Sequence, residues 1–395
     1  MAYTMDKPNR EVYLDNSATT RPCDGAVQAM LSCMRDGYYN PSALYSRAVE
    51  AERALRAARA SVAQSVQADE RNVIFTSGGT ESDNLAILGY LGTLRDKGDV
   101  LYSAAEHPAV KNACLEAAKL FGHTAREIPV DPRGSLDLDA LSGMLNANTR
   151  MICVMQVCNE TGTVMPLEKV VDLRDRLAPN AAIHVDGVQG YLRMPFSMRA
   201  LNVQSYAVSA HKVHGPKGVG ALIVREGHRL RPIMVGGGQQ NNLRSGTENT
   251  VGILGFEAAI RQYPKTEDAQ AIFASMKTVA VERLRRSIPT LQILGPAPGD
   301  ADAAPYILYA AFPPVRAETL VHALEAVGVM VGTGSACSSH KNKRSEVLTA
   351  MGVPAQVIDS AIRLSFSVMN TMEEIAYAAE QIAEQYAVLA RFTRR

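Results

Sequence analysis

Short β-branched runs alternate with helical stretches through the first two thirds of the chain. That alternation limits the fold more than any other feature. Residues 42–67 are rich in Ala and Arg, with apolar residues at helical spacing, and predict a long amphipathic helix. VIFTS (73–77) predicts a strand ending at Gly78-Gly79, and residues 80–97 a helix. DVLYSAAE (99–106) and residues 107–122 repeat the strand–helix unit. Residues 149–157, 181–187, 205–210 and 218–226 predict further buried strands. Strands and helices in steady alternation give an α/β fold with a mostly parallel sheet covered on both faces.

The texture changes after about residue 262. A long helix over 267–287 is followed by short strands at 306–312, 329–335 and 362–367, a helix at 316–327 and another from 372. This predicts two domains. Residues 13–262 form the larger one, and residues 263–395 with 1–12 form a smaller α+β unit.

Composition removes several function classes. The 47% hydrophobic content of the 395 residues argues against disorder. The 41 Lys and Arg against 40 Asp and Glu leave a net charge of +1, so direct nucleic-acid binding through bulk charge is not expected. No apolar run is long enough to cross a bilayer, so no membrane partner is expected. MAYTMDKPNR lacks an apolar core, so no secretory signal is expected and the location predicted is cytoplasmic. Six scattered cysteines without a C-x-x-C pair argue against a disulfide scaffold and against structural zinc.

Four constellations carry candidate chemistry. Ser77-Gly78-Gly79-Thr80 joins a strand to a helix start, where free N–H groups and the helix dipole suit a phosphate. A plain turn with Thr80 as N-cap fits the same residues. His184-Val185-Asp186-Gly187 closes a strand, and a carboxylate there can keep a ring nitrogen protonated or simply cap a turn. Ser209-Ala210-His211-Lys212 places a lysine at another strand end, where partial burial favours Schiff-base chemistry. Gly334-Ser335-Ala336-Cys337-Ser338-Ser339 puts a thiol in a small polar segment, which predicts an accessible and mobile cysteine. The basic run from His340 to Arg344 favours its thiolate, and an incidental surface thiol is the alternative. Arg363, inside an apolar strand, needs an anion, either a substrate carboxylate or a structural Asp or Glu. His107, at a helix start, can stack on an aromatic ring or merely open the helix.

Together these residues resemble the cysteine desulfurases of the class V aminotransferase family, with the fold-type I pyridoxal-phosphate architecture. The likeness runs from Leu14-Asp15-Asn16-Ser17-Ala18-Thr19-Thr20 to Arg363. It rests on TSGGTESDN (76–84), EHPAV (106–110), NETG (159–162), HVDGVQ (184–189), SAHKVHGPKGVG (209–220), RSGTEN (244–249) and GSACSS (334–339), in that order. The segment around GSAC is similar to the NifS/IscS-like group, which has a long cysteine loop.

The resemblance implies pyridoxal 5'-phosphate as cofactor and L-cysteine as substrate. Lys212 would form the Schiff base and act as base at Cα. Asp186 would pair with the pyridinium nitrogen and Gln189 with the phenolic oxygen. Gly79, Thr80, Ser209 and His211 would hold the phosphate. Thr247 would reach the phosphate of the partner subunit, which makes a homodimer the expected unit. His107 would stack on the ring and move protons. Asn159 and Arg363 would bind the substrate carboxylate. Cys337 would take the sulfur as a persulfide and release alanine. No resident metal is implied, and Cys337 alone is in view as a transient iron–sulfur ligand. The sulfur would pass to an acceptor protein serving iron–sulfur assembly, tRNA thiolation or thiamin synthesis.

Three departures stand out. Cys158 occupies a place where the family usually has asparagine, which alters packing near the ring or adds an oxidisable thiol. Gln240-Asn241-Asn242 replaces a frequent Glu-Arg, which questions ion pairs near the cofactor mouth. HKNKR (340–344) is more basic than expected and suggests docking of an acidic or RNA-bound acceptor. Rival readings are selenocysteine lyase, a β-lyase releasing sulfide and pyruvate, an aminotransferase, an idle scaffold in an iron–sulfur assembly complex, and an NAD-binding dehydrogenase. The last lacks a G-x-G-x-x-G at its first strand.

Overall fold

The computed structural model describes residues 10–333 and 344–392. The chain opens with β1 (Val12–Tyr13), α1 (Asp24–Asp36) and α2 (Ser46–Ser65). It continues through β2 (Val73–Thr76), α3 (Gly79–Leu91), β3 (Asp99–Ser103), α4 (Pro108–Phe121), β4 (Thr124–Ile128), α5 (Leu138–Met144) and β5 (Thr149–Met155). Then come α6 (Leu167–Leu177), β6 (Ala182–Asp186), β7 (Ser205–Ser209), β8 (Gly220–Val224) and α7 (Thr250–Gln262). The remainder is α8 (Thr266–Ser287), β9 (Gln292–Ile293), β10 (Ile307–Ala311), α9 (Ala317–Ala326), β11 (Val329–Met330), α10 (Glu346–Ala350), α11 (Ala355–Ile358), β12 (Ala361–Ser365) and α12 (Met372–Leu389).

Seven strands form the main sheet in the order β2-β8-β7-β6-β5-β3-β4. Only β8 runs against its neighbours β2 and β7, and the other pairs are parallel. The reason is local. A parallel neighbour needs a crossover of a dozen residues or more, usually a helix. Between β7 and β8 lie only residues 210–219, with the single helical turn Ala210–Lys212 among them. That short link makes β8 antiparallel and sets Lys212 just past the end of β7.

Strands β5 to β8 are buried at nearly every position, as expected for a sheet covered on both faces. One core lies between this sheet and its helices, where Leu55, Ala58 and Val62 of α2 pack. A second core joins Phe273 and Leu284 of α8 to Leu320 of α9 and Ile375 of α12. Val12 and Leu14 belong to that second core, and Val12 pairs with Val329 in a parallel bridge. Helix α12 starts with a reciprocal cap between Thr371 and Glu374.

The observed elements differ from the sequence reading in places. The strand expected over 99–106 stops at Ser103, because Ala104–Glu106 turn into α4. The strand expected over 329–335 is regular only at Val329–Met330 among the described residues, with one isolated antiparallel bridge from Gly332 to Arg363 beyond it; residues 334 and 335 lie outside the described residues. Strand β4 was not foreseen: it lies at the sheet edge, and most of its side chains are partly or fully exposed, which leaves no alternating signal. Among the described residues no helix is long and apolar enough to cross a membrane.

Candidate active site

The carboxyl ends of β2, β5, β6 and β7 open on one cleft of about 470 Å³. Ligands of open α/β sheets bind at such ends. Each strand delivers its residues through a short turn.

At the end of β2, Gly78 has φ +150°, a conformation that a side chain disfavours. The next residue, Gly79, begins α3, and a Cβ there would lie 2.5 Å from Val188 Cγ2. The turn therefore brings the open N–H groups of a thirteen-residue helix to the cleft beside Thr80. Glu81 ties this turn down. Its Oε2 accepts from Ser77 N at 2.9 Å, and its Oε1 accepts from Arg244 Nε at 2.8 Å.

At the end of β6, Asp186 Oδ1 accepts from Val188 N at 2.9 Å. Burial, then the nearby Asp83, raise its pKa from 3.8 to about 7. Such a carboxyl is well suited to a cationic partner, which would restore its ionised form. Below it, His184 Nε2 lies 3.2 Å from Asp83 Oδ1, and Nδ1 lies 2.8 Å from Ser205 Oγ. Burial lowers His184 to about 4 and raises Asp83 well above its ordinary value, so burial disfavours the charged form of each.

At the end of β7, Lys212 Nζ donates to Ser17 O at 2.5 Å and Ala18 O at 2.8 Å. His211 Nδ1 lies 3.2 Å from Thr19 Oγ1, and burial with the Lys212 charge pushes its pKa down to about 4. Ser209 is buried in the same wall. Gln189 donates to Ser17 O at 2.9 Å and accepts from Arg193 Nη2 at 2.8 Å.

The opposite wall comes from the second core. Arg363 of β12 donates through Nη1 to Asn159 O at 2.7 Å and through Nη2 to Asp15 Oδ1 at 2.7 Å. Its structural anion is thus Asp15, yet Nε stays buried with no partner among the described residues. His107 caps α4, its Nδ1 accepting from Ala109 N at 3.1 Å, which leaves Nε2 as the N–H side of a neutral ring. Burial lowers its pKa.

Three cleft-lining residues, Ser17, Glu106 and Arg363, each keep a buried polar atom without a partner among the described residues. Buried polar groups are normally satisfied, so these atoms point to a polar ligand. Lys212, the buried Asp186 carboxyl and the start of α3, all on this cleft, fit the donor set of a phosphorylated pyridine aldehyde.

Ten sequence-predicted residues line this cleft: Gly79, Thr80, His107, Asn159, Asp186, Gln189, Ser209, His211, Lys212 and Arg363. Thr247 does not, and it is exposed. Cys337, with Lys341 and Lys343, lies outside the described residues. Arg344 and Ser345, which follow that segment, line the cleft. The sequence reading gave no role to Asp83, Glu106 or Glu160, although each sits inside a quoted motif. Their signal was proximity to a named residue, with nothing local to show burial. Cys158 is fully buried in the main core, and burial raises its pKa, so it is a packing residue with a poorly reactive thiol.

The family model described as aminotransferase class-V matches residues 12–377. A protein of Nostoc sp. named cysteine desulfurase is 35% identical over 386 residues, covering 96% of this chain and 95% of that one. The chain belongs to the cysteine desulfurases of the class-V aminotransferase family. Family members of known structure share its architecture. A solved structure titled NifS-like protein superposes with a TM-score of 0.89 at 32% identity, covering 96% of this chain and all of that one. Another, titled SspA in complex with cysteine, gives a TM-score of 0.78 at 28% identity over 90% of this chain and 98% of that one. As in a fold-type I desulfurase, the described chain carries a mostly parallel central sheet flanked by helices.

Proposed function

We propose that this enzyme is an L-cysteine desulfurase that uses pyridoxal 5'-phosphate and yields L-alanine and an enzyme persulfide. The observation that carries the reading is the convergence of Lys212, Asp186 and Arg363 on one cleft at the start of α3. When bound, the cofactor supplies an electron sink for a carbanion at the amino-acid Cα. The chain supplies the rest. Gly79, Thr80, Ser209 and His211 hold the phosphate. Asp186 pairs with the ring nitrogen, Gln189 meets the phenolic oxygen, and His107 covers the ring. Lys212 holds the cofactor and then moves the proton at Cα. Arg363 and Asn159 bind the substrate carboxylate.

Cys337 is the sulfur acceptor within the chain. Its thiolate attacks the substrate sulfur, the substrate C–S bond breaks, and the electron pair stays with carbon, which gains a proton to become alanine. The balance is one enzyme thiol plus L-cysteine giving one enzyme persulfide plus L-alanine.

Residues 13–262 form the cofactor-binding unit, and residues 263–395 with 1–12 form the unit that carries Cys337. The pairing of Val12 with Val329 supports that division. The working unit is a homodimer in the cytoplasm. Leu44 at 99% exposure and Val235 at 84% support a covered surface. The persulfide passes to an acceptor protein of iron–sulfur assembly, tRNA thiolation or thiamin synthesis. An acidic acceptor suits the basic run at 340–344, so charge reversal at Lys341 and Lys343 should slow transfer and spare alanine formation.

The deciding experiment supplies L-cysteine and a thiol reductant and quantifies alanine, sulfide and pyruvate. Equal alanine and sulfide, lost in Lys212→Ala and Cys337→Ala, is the expected result. Pyruvate and ammonia that survive Cys337→Ala overturn the reading in favour of a β-lyase.

A further inference from the structure

Arg193 is 2% exposed, and its cation has only neutral partners among the described residues. Nη2 donates to Gln189 Oε1 at 2.8 Å and to Val188 O at 3.4 Å. The guanidinium lies 4.4 Å from the centre of the Tyr306 ring. Its Nε is buried with no partner among the described residues. A buried guanidinium is normally paired with a carboxylate, because taking the charge out of water is costly. Here the charge is placed against an amide instead.

That amide belongs to a cleft residue, Gln189. A guanidinium can only donate, so Gln189 must turn Oε1 toward it. A backbone carbonyl can only accept, and Gln189 Nε2 meets Ser17 O at 2.9 Å. The two partners agree, so the carboxamide has one orientation. Nε2 carries two hydrogens, and Ser17 takes one of them. Ser17 O also accepts from Lys212 Nζ, so the amide nitrogen and the lysine amine meet at one carbonyl on the cleft wall.

The cation does more than orient the amide. A hydrogen bond from a charged donor draws electron density toward Oε1, which makes the Nε2 hydrogens stronger donors. Tyr306 holds the pair in place. Its ring lies against the guanidinium, and its hydroxyl donates to Gln189 O at 2.8 Å.

We propose that Arg193 is a positioning residue for the cofactor, fixing the Gln189 carboxamide with Nε2 on the lysine side and strengthening it as the donor to the phenolic oxygen. This rests on the cofactor assignment above. The test titrates the visible absorbance of the purified holoenzyme, loaded with pyridoxal 5'-phosphate, against pH. A strong donor and a nearby cation both favour the deprotonated state of the bound cofactor. Arg193→Met should therefore raise the titration midpoint by about one pH unit, a tenfold change in proton affinity. Arg193→Lys keeps a charge and a donor and should stay within about 0.3 units of wild type. Gln189→Met removes the relay, and adding Arg193→Met to it should move the midpoint by less than about 0.3 units more.

A merely structural role would lower the melting temperature of Arg193→Met and leave its midpoint at the wild-type value, which overturns the proposal. Equal shifts in the lysine and methionine variants overturn it too. So does an Arg193→Met shift that is as large without Gln189 as with it. Should Arg193→Met not fold, Arg193→Gln decides, since it keeps a donor at 193 and removes the charge. A midpoint raised by about half a unit in that variant supports the proposal, and an unchanged one overturns it. A wild-type chain that takes up no cofactor overturns the reading of the cleft itself. Unmoved midpoints in a cofactor-binding chain overturn only this inference.

Discussion

Arg363 Nη2 sits 2.7 Å from Asp15 Oδ1, a buried guanidinium held by a carboxylate 348 positions earlier in the chain. Arg363 also lines the cleft, and its buried Nε has no partner among the described residues. Gly332 packs directly on the pair: a Cβ there would lie 2.5 Å from Asp15 Oδ1 and 3.2 Å from Arg363 Nη2.

Asp15→Ala and Gly332→Ala should therefore loosen the same guanidinium. A lost or displaced charged contact of about 1–2 kcal/mol predicts a KM for L-cysteine raised roughly 5- to 30-fold, with kcat changed less. Steady-state kinetics on both variants checks this. A KM equal to wild type in both would mean that Arg363 does not hold the substrate.

The Asp186 carboxyl makes a pH prediction for the cofactor-free protein. In the folded chain its pKa is about 7, raised first by burial and next by Asp83, against an ordinary 3.8. Between those values the unfolded chain has released the proton and the folded chain still holds it. Stability from this group is thus complete below about pH 4 and is lost as pH rises through 7. Relative to Asp186→Asn, the wild type should become progressively less stable from pH 4 to 7 and change no further above. His184 and His211, both lowered to about 4 by burial, act with the opposite sign. They are common to the two proteins, so their contributions largely cancel in the comparison. Melting temperatures across pH 4–8 measure the difference, and a constant gap would contradict the assignment.

Gly79 offers a steric test of the phosphate cradle. Gly79→Ala places its Cβ 2.5 Å from Val188 Cγ2, so the turn must shift. Cofactor affinity should fall about tenfold or more. Val188→Ala removes the obstructing methyl, and the double variant should recover most of the loss. Equilibrium titration with pyridoxal 5'-phosphate gives both numbers.

Ser345 and Glu160 make a stability prediction. Ser345 Oγ donates to Glu160 Oε2 at 2.6 Å and accepts from Leu348 N at 3.0 Å as the cap of α10. Ser345→Ala removes a cap and leaves a buried carboxyl without that partner. The expected cost is about 1–3 kcal/mol by denaturant unfolding. Glu160→Gln keeps an acceptor for the serine hydroxyl and should cost less.

Much of the fold was legible because its signals are local. Buried β-branched runs gave β2, β5, β6, β7 and β8 to within two residues at either end, and helical periodicity gave α2 and α8. The ends of β2, β6 and β7 carry Gly78-Gly79, Asp186 and Ser209, and parallel strand ends face the crevice. The candidate site was therefore readable as strand-end chemistry joined to an ordered set of motifs.

What only the tertiary structure decided is which distant groups meet. The antiparallel turn of β8, the Asp15 carboxylate on Arg363, the Gln240 amide on Phe75 and Glu248, and the Glu160 contact with Ser345 all join separate segments. The physical reason is one of range. Periodicity and turn chemistry act over a few residues along the chain. Hydrogen bonds and ion pairs act over about 3 Å in space, and packing alone sets which atoms come that close.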